Sequence, residues 1–319
     1  MALVASPIKR SIIVGAGASV SYDLPLAGGL LKNAVERIRR LDASRARLAG
    51  TVLREDPREI AQGDDLDEII FRSIKAPLSL QEVARLLRET LVQQNLDDFV
   101  RDHPSLTEVV SMLITITLFS AMYQKVDGLW HLRPQLRKSS WPTENDWMRQ
   151  FVGLMRPIVS VEQKLSIISF NYDSLLERSM RMYWAGSELK YPSLDEAVEF
   201  VYPHGNFSEL PERITSLDQY LKAQASRLQL GEKRDQDARN RAKEIICGPG
   251  KFFSVGFSFS DNNLELLGLT SVKSSALYVQ TYKNEDVRLL RKLDQLGVPS
   301  RQRDDKDMTS LVTNGFFEQ

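Results

Sequence analysis

The chain has 319 residues, of which 42% are hydrophobic and 26% are charged, proportions that are ordinary for a globular protein with a sizeable core. Lys and Arg together number 42, and Asp and Glu also number 42, so the formal net charge is zero. This balance argues against bulk electrostatic binding to nucleic acid or to an anionic membrane surface.

Cys247 is the single cysteine of the chain. One cysteine forms neither an intramolecular disulfide nor a four-cysteine zinc site, so we expect a reducing, cytoplasmic setting and no metal. The N-terminal sequence MALVASPIKRSIIVGAG lacks the apolar core of a signal peptide. The most apolar stretch, Val109–Tyr123, is shorter than the roughly 20 apolar residues of a membrane span and predicts a buried helix instead.

The first predicted element is a strand. The β-branched run Ser11–Val14 ends in Gly15–Gly17, a pattern that indicates a buried strand turning into a helix. Residues 40–160 then predict an almost entirely helical segment. Within it, two helices begin at capping-box spacings, at Ser79 and at Ser105.

Strand signals return after residue 160, and each strand is followed by a helical pattern. The predicted strands are Leu165–Phe170, Val198–Tyr202, Phe252–Val255 and Ala276–Tyr282. Alternation of strands and helices favours a parallel sheet that is covered by helices on both faces. The expected fold class is therefore α/β, with a large helical insertion after the first strand.

We expect residues 1–319 to form a single domain. Its sheet-containing core comprises residues 1–39 and 161–300, and the insertion comprises residues 40–160. Residues 301–319 are mostly polar and are predicted to be a C-terminal tail.

Polar or glycine-rich clusters follow four of the predicted strands. In a doubly wound sheet, ligands bind beyond the carboxyl ends of the strands, so these clusters predict one common site. The clusters are Gly15–Ser19, Asn171–Asp173, Pro203–Gly205 and Gly256–Asp261.

The first cluster, Gly15-Ala16-Gly17-Ala18-Ser19, lets the backbone approach a pyrophosphate closely at a helix N-terminus. The third glycine of the usual dinucleotide fingerprint is replaced by Val20, and no clear acidic residue follows a second strand about 20 residues later. A tight turn between strand and helix explains the two glycines equally well.

The second and third clusters contain the candidate catalytic groups. Asn171 follows an apolar strand, where an amide orients a water molecule or a ribose hydroxyl. Asp173 either contributes to this site or caps the next helix. His204, in a short turn after a strand, is either a packed turn histidine or a general base.

In the fourth cluster, Gly256 permits a close backbone approach, and Ser258 offers a hydroxyl to a phosphate or ribose. The alternative is a helix N-cap built from Ser260 and Asp261. Both interpretations are compatible with each other.

Taken in order, the motifs GAGAS with Leu24-Pro25, SFNYDSLLE, PHG and VGFSFSD resemble the Sir2-like NAD-consuming domains of bacterial anti-phage systems. The resemblance extends roughly from Ile12 to Val298. It implies a Rossmann-like sheet and NAD as substrate. It assigns catalysis to Asn171 and His204, the NAD phosphates to Gly15, Ala16, Gly17 and Ser19, the nicotinamide-ribose side to Asp173, and the adenosine half to Gly256 and Ser258.

Two departures from the sirtuin pattern affect the expected reaction. The chain lacks the cysteines of the zinc module of sirtuin deacylases, and Leu26-Ala27-Gly28 replaces the acidic or aromatic residues that usually follow the proline. We therefore expect an NAD glycohydrolase that releases nicotinamide and ADP-ribose and depletes NAD during anti-phage defence. The resemblance also suggests activation through homo-oligomerisation or through a separate partner such as a HerA-like ATPase.

Three alternatives remain open at the level of sequence. The chain could be a regulatory module that binds NAD or ADP-ribose without turnover, or an NAD-dependent protein deacylase. An ordinary nicotinamide-dependent oxidoreductase is the third, although its hydride-acceptor site and ribose-binding acid are not visible.

Overall fold

The structure is a computed structural model. It describes residues 9–26, 29–30, 32–39, 66, 80–93, 96–136, 147–184, 191–207, 211–230, 236–269, 276–281 and 287–318. The chain divides into two compact units. The first comprises Met1–Asp23, Pro134–Leu210 and Asp235–Gln319, and the second comprises Leu24–Arg133 and Pro211–Arg234.

A six-stranded sheet organises the first unit. Its strands are β1 (Arg10–Val14), β4 (Leu165–Ser169), β5 (Val198–Val201), β7 (Lys251–Val255), β8 (Leu277–Gln280) and β9 (Arg303–Asp304). Every neighbouring pair is parallel, and the order across the sheet is β5-β4-β1-β7-β8-β9. When only these six strands are numbered along the chain, the order is 3-2-1-4-5-6. This is the order of a Rossmann-type sheet, and it confirms the predicted fold class.

The central strands are buried along almost their whole length. All five residues of β4 are buried, as are the last four residues of β1 and of β7. Central strands of a parallel sheet are covered on both faces, and they therefore read as continuous apolar runs rather than as alternating patterns. This is why the short runs in the sequence predicted strands at the correct places.

Helices flank the sheet in the first unit. They are Trp147–Met155, Leu175–Trp184, Leu194–Ala197, Gln236–Cys247, Asp261–Leu267, Val287–Gln295 and Met308–Thr313. The core cluster includes residues of β1, β4, β7 and β8 together with apolar side chains such as Ile245, Leu267 and Leu293. These three side chains come from three different flanking helices, so a single apolar layer joins the helices to the sheet.

The second unit is mainly helical. Its helices are Leu80–Gln93, Leu96–Asp102, Thr107–Met122 and Leu217–Arg227, and residues 29–30 and 32–39 are also helical. Thr107–Met122 is buried nearly all round, as a central core helix is. The helical stretch Pro104–Met122 is the one candidate membrane span within the described residues, and 78% of its apolar window is buried inside the protein.

The second unit differs from the predicted helical insertion in two ways. It contains an antiparallel sheet of β2 (Tyr123–Val126), β3 (Leu129–Leu132) and β6 (Arg213–Ile214). The β2–β3 hairpin turns at Asp127 and Gly128, which have φ angles of 50° and 79°. An Asp-Gly pair is a strong hairpin signal that the helical prediction for residues 40–160 overlooked.

The boundaries predicted for the insertion also differ from the structural ones. The helix Trp147–Met155 belongs to the first unit, whereas Pro211–Arg234, which lies outside the predicted insertion, belongs to the second. Within the predicted insertion, residues 40–65, 67–79, 94–95 and 137–146 lie outside the described residues, and so does the predicted helix start at Ser79.

The segment 301–318 is part of the first unit rather than a tail. β9 pairs with β8, and the Thr281 N–H donates to the Asp304 carbonyl at 2.7 Å. Phe316 and Phe317 are almost fully buried, and their rings pack against Phe253 of β7. The prediction of a tail was wrong because a few buried aromatic side chains hold an otherwise polar segment against the sheet.

Candidate functional site at the strand ends

The four predicted clusters follow β1, β4, β5 and β7, which are neighbours in the sheet. Because the strands are parallel, the clusters lie at the same, carboxyl edge. The strand order reverses between β1 and β7, and this switch point is where open α/β sheets bind their ligands.

The glycines at the switch point bring two turns into backbone contact. Gly15 N–H donates to the Val255 carbonyl at 2.9 Å, and Gly17 N–H donates to the Gly256 carbonyl at 3.0 Å. A Cβ on Gly15 would lie 2.3 Å from that same Gly256 oxygen, and one on Gly256 would lie 2.2 Å from Ala18 N. Gly15 and Gly256 therefore have to be glycine, because the two turns touch each other. The N–H groups of Gly15 and Gly17 are both used in hydrogen bonds to backbone carbonyls.

Beyond this contact the chain continues as the 3-10 helix Ala16–Tyr22. Its N-cap residue is Gly15, which has no side chain to cap the helix. Ala16 is half-buried, and the Ala18 N–H donates to the Gly15 carbonyl at 2.9 Å. The turn therefore forms hydrogen bonds within its own backbone.

A buried chain of hydrogen bonds joins the first and second clusters. The Asn171 side-chain nitrogen Nδ2 donates to Ser19 Oγ at 2.9 Å, and Ser19 Oγ donates to Asp173 Oδ1 at 3.2 Å. All three residues are less than 10% exposed. The structure thus brings together three of the predicted site residues, which we call the Ser19–Asn171–Asp173 chain.

The Asp173 carboxylate accepts hydrogen bonds from two directions. Its Oδ1 also accepts a hydrogen bond from the Leu175 N–H at 3.2 Å, at the start of the helix Leu175–Trp184. Burial raises the pKa of Asp173 to about 6, against the opposing effect of the hydrogen bonds from Leu175 and Ser19. The carboxyl group therefore accepts a hydrogen bond from the first turn of the helix and also belongs to the buried chain.

The amide oxygen of Asn171 receives no hydrogen bond within the part of the chain that the structure describes. This Oδ1 atom is buried, and none of the described residues donates to it. The backbone N–H of the same residue donates to Ser169 Oγ at 3.3 Å, so the residue itself is anchored. Leaving a buried acceptor unsatisfied costs about 1–3 kcal/mol, so this atom is suited to receive a water molecule or a ligand hydroxyl.

His204 lies in a buried turn beside the Asn171 segment. Its ring meets the Phe170 ring edge-on at 5.2 Å between centroids and lies 6.4 Å from the Tyr172 ring. Its Nε2 is 3.2 Å from Asn263 Oδ1. Gly205, with φ of 70°, closes the turn. The imidazole is thus fixed between aromatic rings and one amide, as both the structural and the catalytic interpretation require.

The fourth cluster separates into two parts. Gly256 lies in the backbone contact already described, whereas the Ser258 side chain is exposed. Phe259 has a φ of 51° and buries its ring against Phe257 at 4.9 Å. Ser260 is the N-cap residue of the next helix but makes no side-chain capping bond. The predicted contact of Ser258 with a ligand therefore stays a prediction.

Two polar residues of this region were missed from the sequence. Asn263 holds His204, and its position just after the fourth cluster was the available signal. Gln280 is buried at the end of β8, where its Oε1 accepts from the Gly256 N–H at 3.0 Å and its Nε2 donates to the Lys306 carbonyl at 2.9 Å. Only the adjacency of β7 and β8 reveals the second residue.

Within the described part of the chain, no group of three His, Cys, Asp or Glu side chains could hold a metal ion. A scan with models of known protein families found no match for the sequence. A search of curated proteins also found none.

Proposed function

We propose that the protein is an NAD glycohydrolase that cleaves the nicotinamide–ribose bond and releases nicotinamide and ADP-ribose. The observation that carries the proposal is the unsatisfied, buried Oδ1 of Asn171 at the carboxyl edge of a 3-2-1-4-5-6 sheet. Dinucleotides bind at this edge in such sheets. The resemblance of four ordered motifs to Sir2-like NAD-consuming domains further supports NAD as substrate.

The reaction makes limited demands on the protein. Water forms a bond to the anomeric carbon of the ribose while the bond from that carbon to nicotinamide breaks. The bonding electron pair passes to the pyridinium nitrogen, so nicotinamide departs neutral and needs no proton. The ribose passes through an oxocarbenium-like state, as in glycoside hydrolysis. The enzyme has to hold the ribose, exclude bulk water and position one water molecule.

The side chains at the strand ends match these demands. Asn171 Oδ1 accepts a hydrogen bond from the attacking water or from a ribose hydroxyl. His204, held by Asn263, binds a ribose hydroxyl or removes the proton of the water. Asp173 lies on the nicotinamide-ribose side. In the same arrangement, the phosphates lie along Gly15, Ala16, Gly17 and Ser19 without using the N–H groups of Gly15 and Gly17, which bond to the backbone at the end of β7. The adenosine half lies at Gly256 and Ser258.

The test is product analysis after incubation with NAD. We expect free nicotinamide and ADP-ribose, and a decrease of about 100-fold or more in kcat for Asn171→Ala and for His204→Ala. Val287→Ala, at a side chain that is 58% exposed, is the control and should turn over NAD like the wild type. Wild-type rates in both folded site variants would contradict the proposal, as would reduced NAD as the product. Calorimetric binding without turnover would instead identify a regulatory module.

We also propose that NAD depletion by this protein serves anti-phage defence and is controlled by assembly. Unrestrained loss of NAD is toxic, so the activity requires a trigger. Either homo-oligomerisation or a separate partner such as a HerA-like ATPase supplies it. The purified chain should show low activity as a monomer and higher activity after assembly or with the product of a neighbouring gene. Full activity of an isolated monomer, measured by light scattering and NAD turnover together, would refute this.

A further inference from the structure

We infer that Ser19 is a positioning residue that, together with Asp173, holds the Asn171 amide with its oxygen facing the reacting groups. This inference rests on the proposed function, because it concerns how the same site presents Asn171. It assigns Ser19 a role beyond contact with phosphate.

The direction of each hydrogen bond in the Ser19–Asn171–Asp173 chain follows from the chemistry of its members. An ionised carboxylate only accepts, so the Ser19 hydroxyl proton points at Asp173 Oδ1, 3.2 Å away. Ser19 Oγ then offers a lone pair, and the group facing it at 2.9 Å has to be a donor. An amide has its donors on nitrogen alone. Nδ2 of Asn171 therefore faces Ser19, and Oδ1 faces away from it.

The opposite amide orientation is excluded while this chain is intact. Rotation by 180° would place Asn171 Oδ1 against Ser19 Oγ, so that two acceptors met without a proton between them. Asp173 cannot turn away to relieve this conflict, because its Oδ1 also accepts from the Leu175 N–H at 3.2 Å. Since all three members of the chain are buried, water does not easily replace either bond.

The orientation matters for the proposed reaction. An oxygen accepts a hydrogen bond from the attacking water and thereby directs a lone pair of that water toward the anomeric carbon. An NH2 group in the same place would donate to the water and occupy the lone pair that attacks. Small misplacements of reacting groups cost up to about 100-fold in rate, so loss of orientation should appear in kcat.

The experiment compares serine-to-alanine substitutions at two buried positions, assayed at pH 8, where Asp173 is ionised. Ser19→Ala should lower kcat for NAD cleavage about 10- to 100-fold, a larger factor than its effect on KM. Ser166→Ala is the matched control, because Ser166 in β4 is also fully buried and its Oγ has no partner among the described residues. It should keep the wild-type kcat.

A double-mutant comparison separates positioning from a general structural role. In the Asn171→Ala background, Ser19→Ala should cause no further decrease in kcat, since Ser19 affects kcat through the amide. Asp173→Asn should lower kcat less than Asp173→Ala does, because the Leu175 N–H still selects an oxygen at this position and that oxygen still accepts from Ser19. Asp173→Ala should fall to the level of Ser19→Ala.

The outcomes are distinct for the inference and for the proposed function. An unchanged kcat in Ser19→Ala, with Asn171→Ala inactive, overturns the inference alone. The same holds if Ser19→Ala lowers kcat by the same factor in the wild type and in the Asn171→Ala variant. Wild-type activity of both Asn171→Ala and His204→Ala overturns the proposed function. Should Ser19→Ala fail to fold, Ser19→Cys replaces one atom and keeps a weak donor. It should then give a kcat below the wild type, and wild-type kcat in Ser19→Cys would count against the inference.

Discussion

At the scale of single residues, Asp173 shows how a buried carboxyl group opposes stability. Its carboxyl group is 7% exposed, and burial raises its pKa to about 6 even though Ser19 and Leu175 donate to it. A surface aspartate would cap the helix Leu175–Trp184 without this penalty. The buried charge is therefore better explained by the hydrogen-bond chain to Asn171 than by helix capping alone.

We predict that Asp173→Asn raises the free energy of unfolding at pH 8. The native carboxyl group holds its proton up to a pKa of about 6, whereas in the unfolded chain its pKa is the ordinary aspartate value of 3.8. The protonated carboxyl group therefore contributes to the free energy of unfolding in full below pH 3.8. This contribution is lost as the pH rises through about 6, where the native group ionises. The shift corresponds to at most about 3 kcal/mol, which asparagine recovers at pH 8 and not at pH 3.5. Urea unfolding at both pH values measures this, and an equal effect at both would contradict the explanation.

At the scale of elements, the turn after β1 and the turn after β7 are held together by glycine. Gly15 and Gly17 both donate to backbone carbonyls at the end of β7, and Gly256 has a φ of 60°. The two turns can approach this closely only because these positions have no side chain. The glycines thus fix the first and fourth clusters against each other.

Gly256→Ala should be strongly destabilising, by about 3 kcal/mol or more, because it combines a left-handed backbone with a Cβ 2.2 Å from Ala18 N. Gly153→Ala is the matched control. Gly153 lies in the helix Trp147–Met155, and nothing lies within 4 Å of an added Cβ. That change should stabilise by about 0.5–1 kcal/mol. Thermal unfolding of both variants is the measurement, and similar melting temperatures would refute the close contact between the turns.

At the scale of the whole molecule, the first unit is assembled from distant parts of the chain. β1 pairs with β4 and with β7, and the last strand, β9, pairs with β8. The carbonyl of Phe317 accepts from Arg10 Nε at 3.3 Å, which joins the two ends of the described chain. Folding of this unit therefore depends on contacts of long sequence separation.

Phe317→Ala should lower the free energy of unfolding by about 3–5 kcal/mol, because it removes a ring that is 1% exposed and packs against Phe151 and Phe253. Val287→Ala, at an exposed position, should change it by less than about 0.5 kcal/mol. Chemical denaturation distinguishes the two. If the Phe317 variant were as stable as the Val287 variant, the segment 301–318 would be a dispensable tail after all.

The sequence by itself determined the fold class and the positions of the strand-end clusters. Buried strands require continuous apolar runs, and turns require glycine or short polar residues, so both leave local patterns in the chain. β1, β4, β5, β7 and β8 were all predicted within a few residues of their observed bounds. Asn171, Asp173 and His204 could be selected because each follows such a run directly.

Only the tertiary structure decided which of these residues meet. Ser19 and Asn171 are 152 positions apart, and Ser19 and Asp173 are 154 apart, so no local pattern encodes their hydrogen bonds. The strand order, the contact of Gly15 with Gly256 and the addition of β9 depend in the same way on packing between distant segments. Local propensity specifies the elements, whereas the buried surface that neighbouring strands and helices share specifies their arrangement and hence the site.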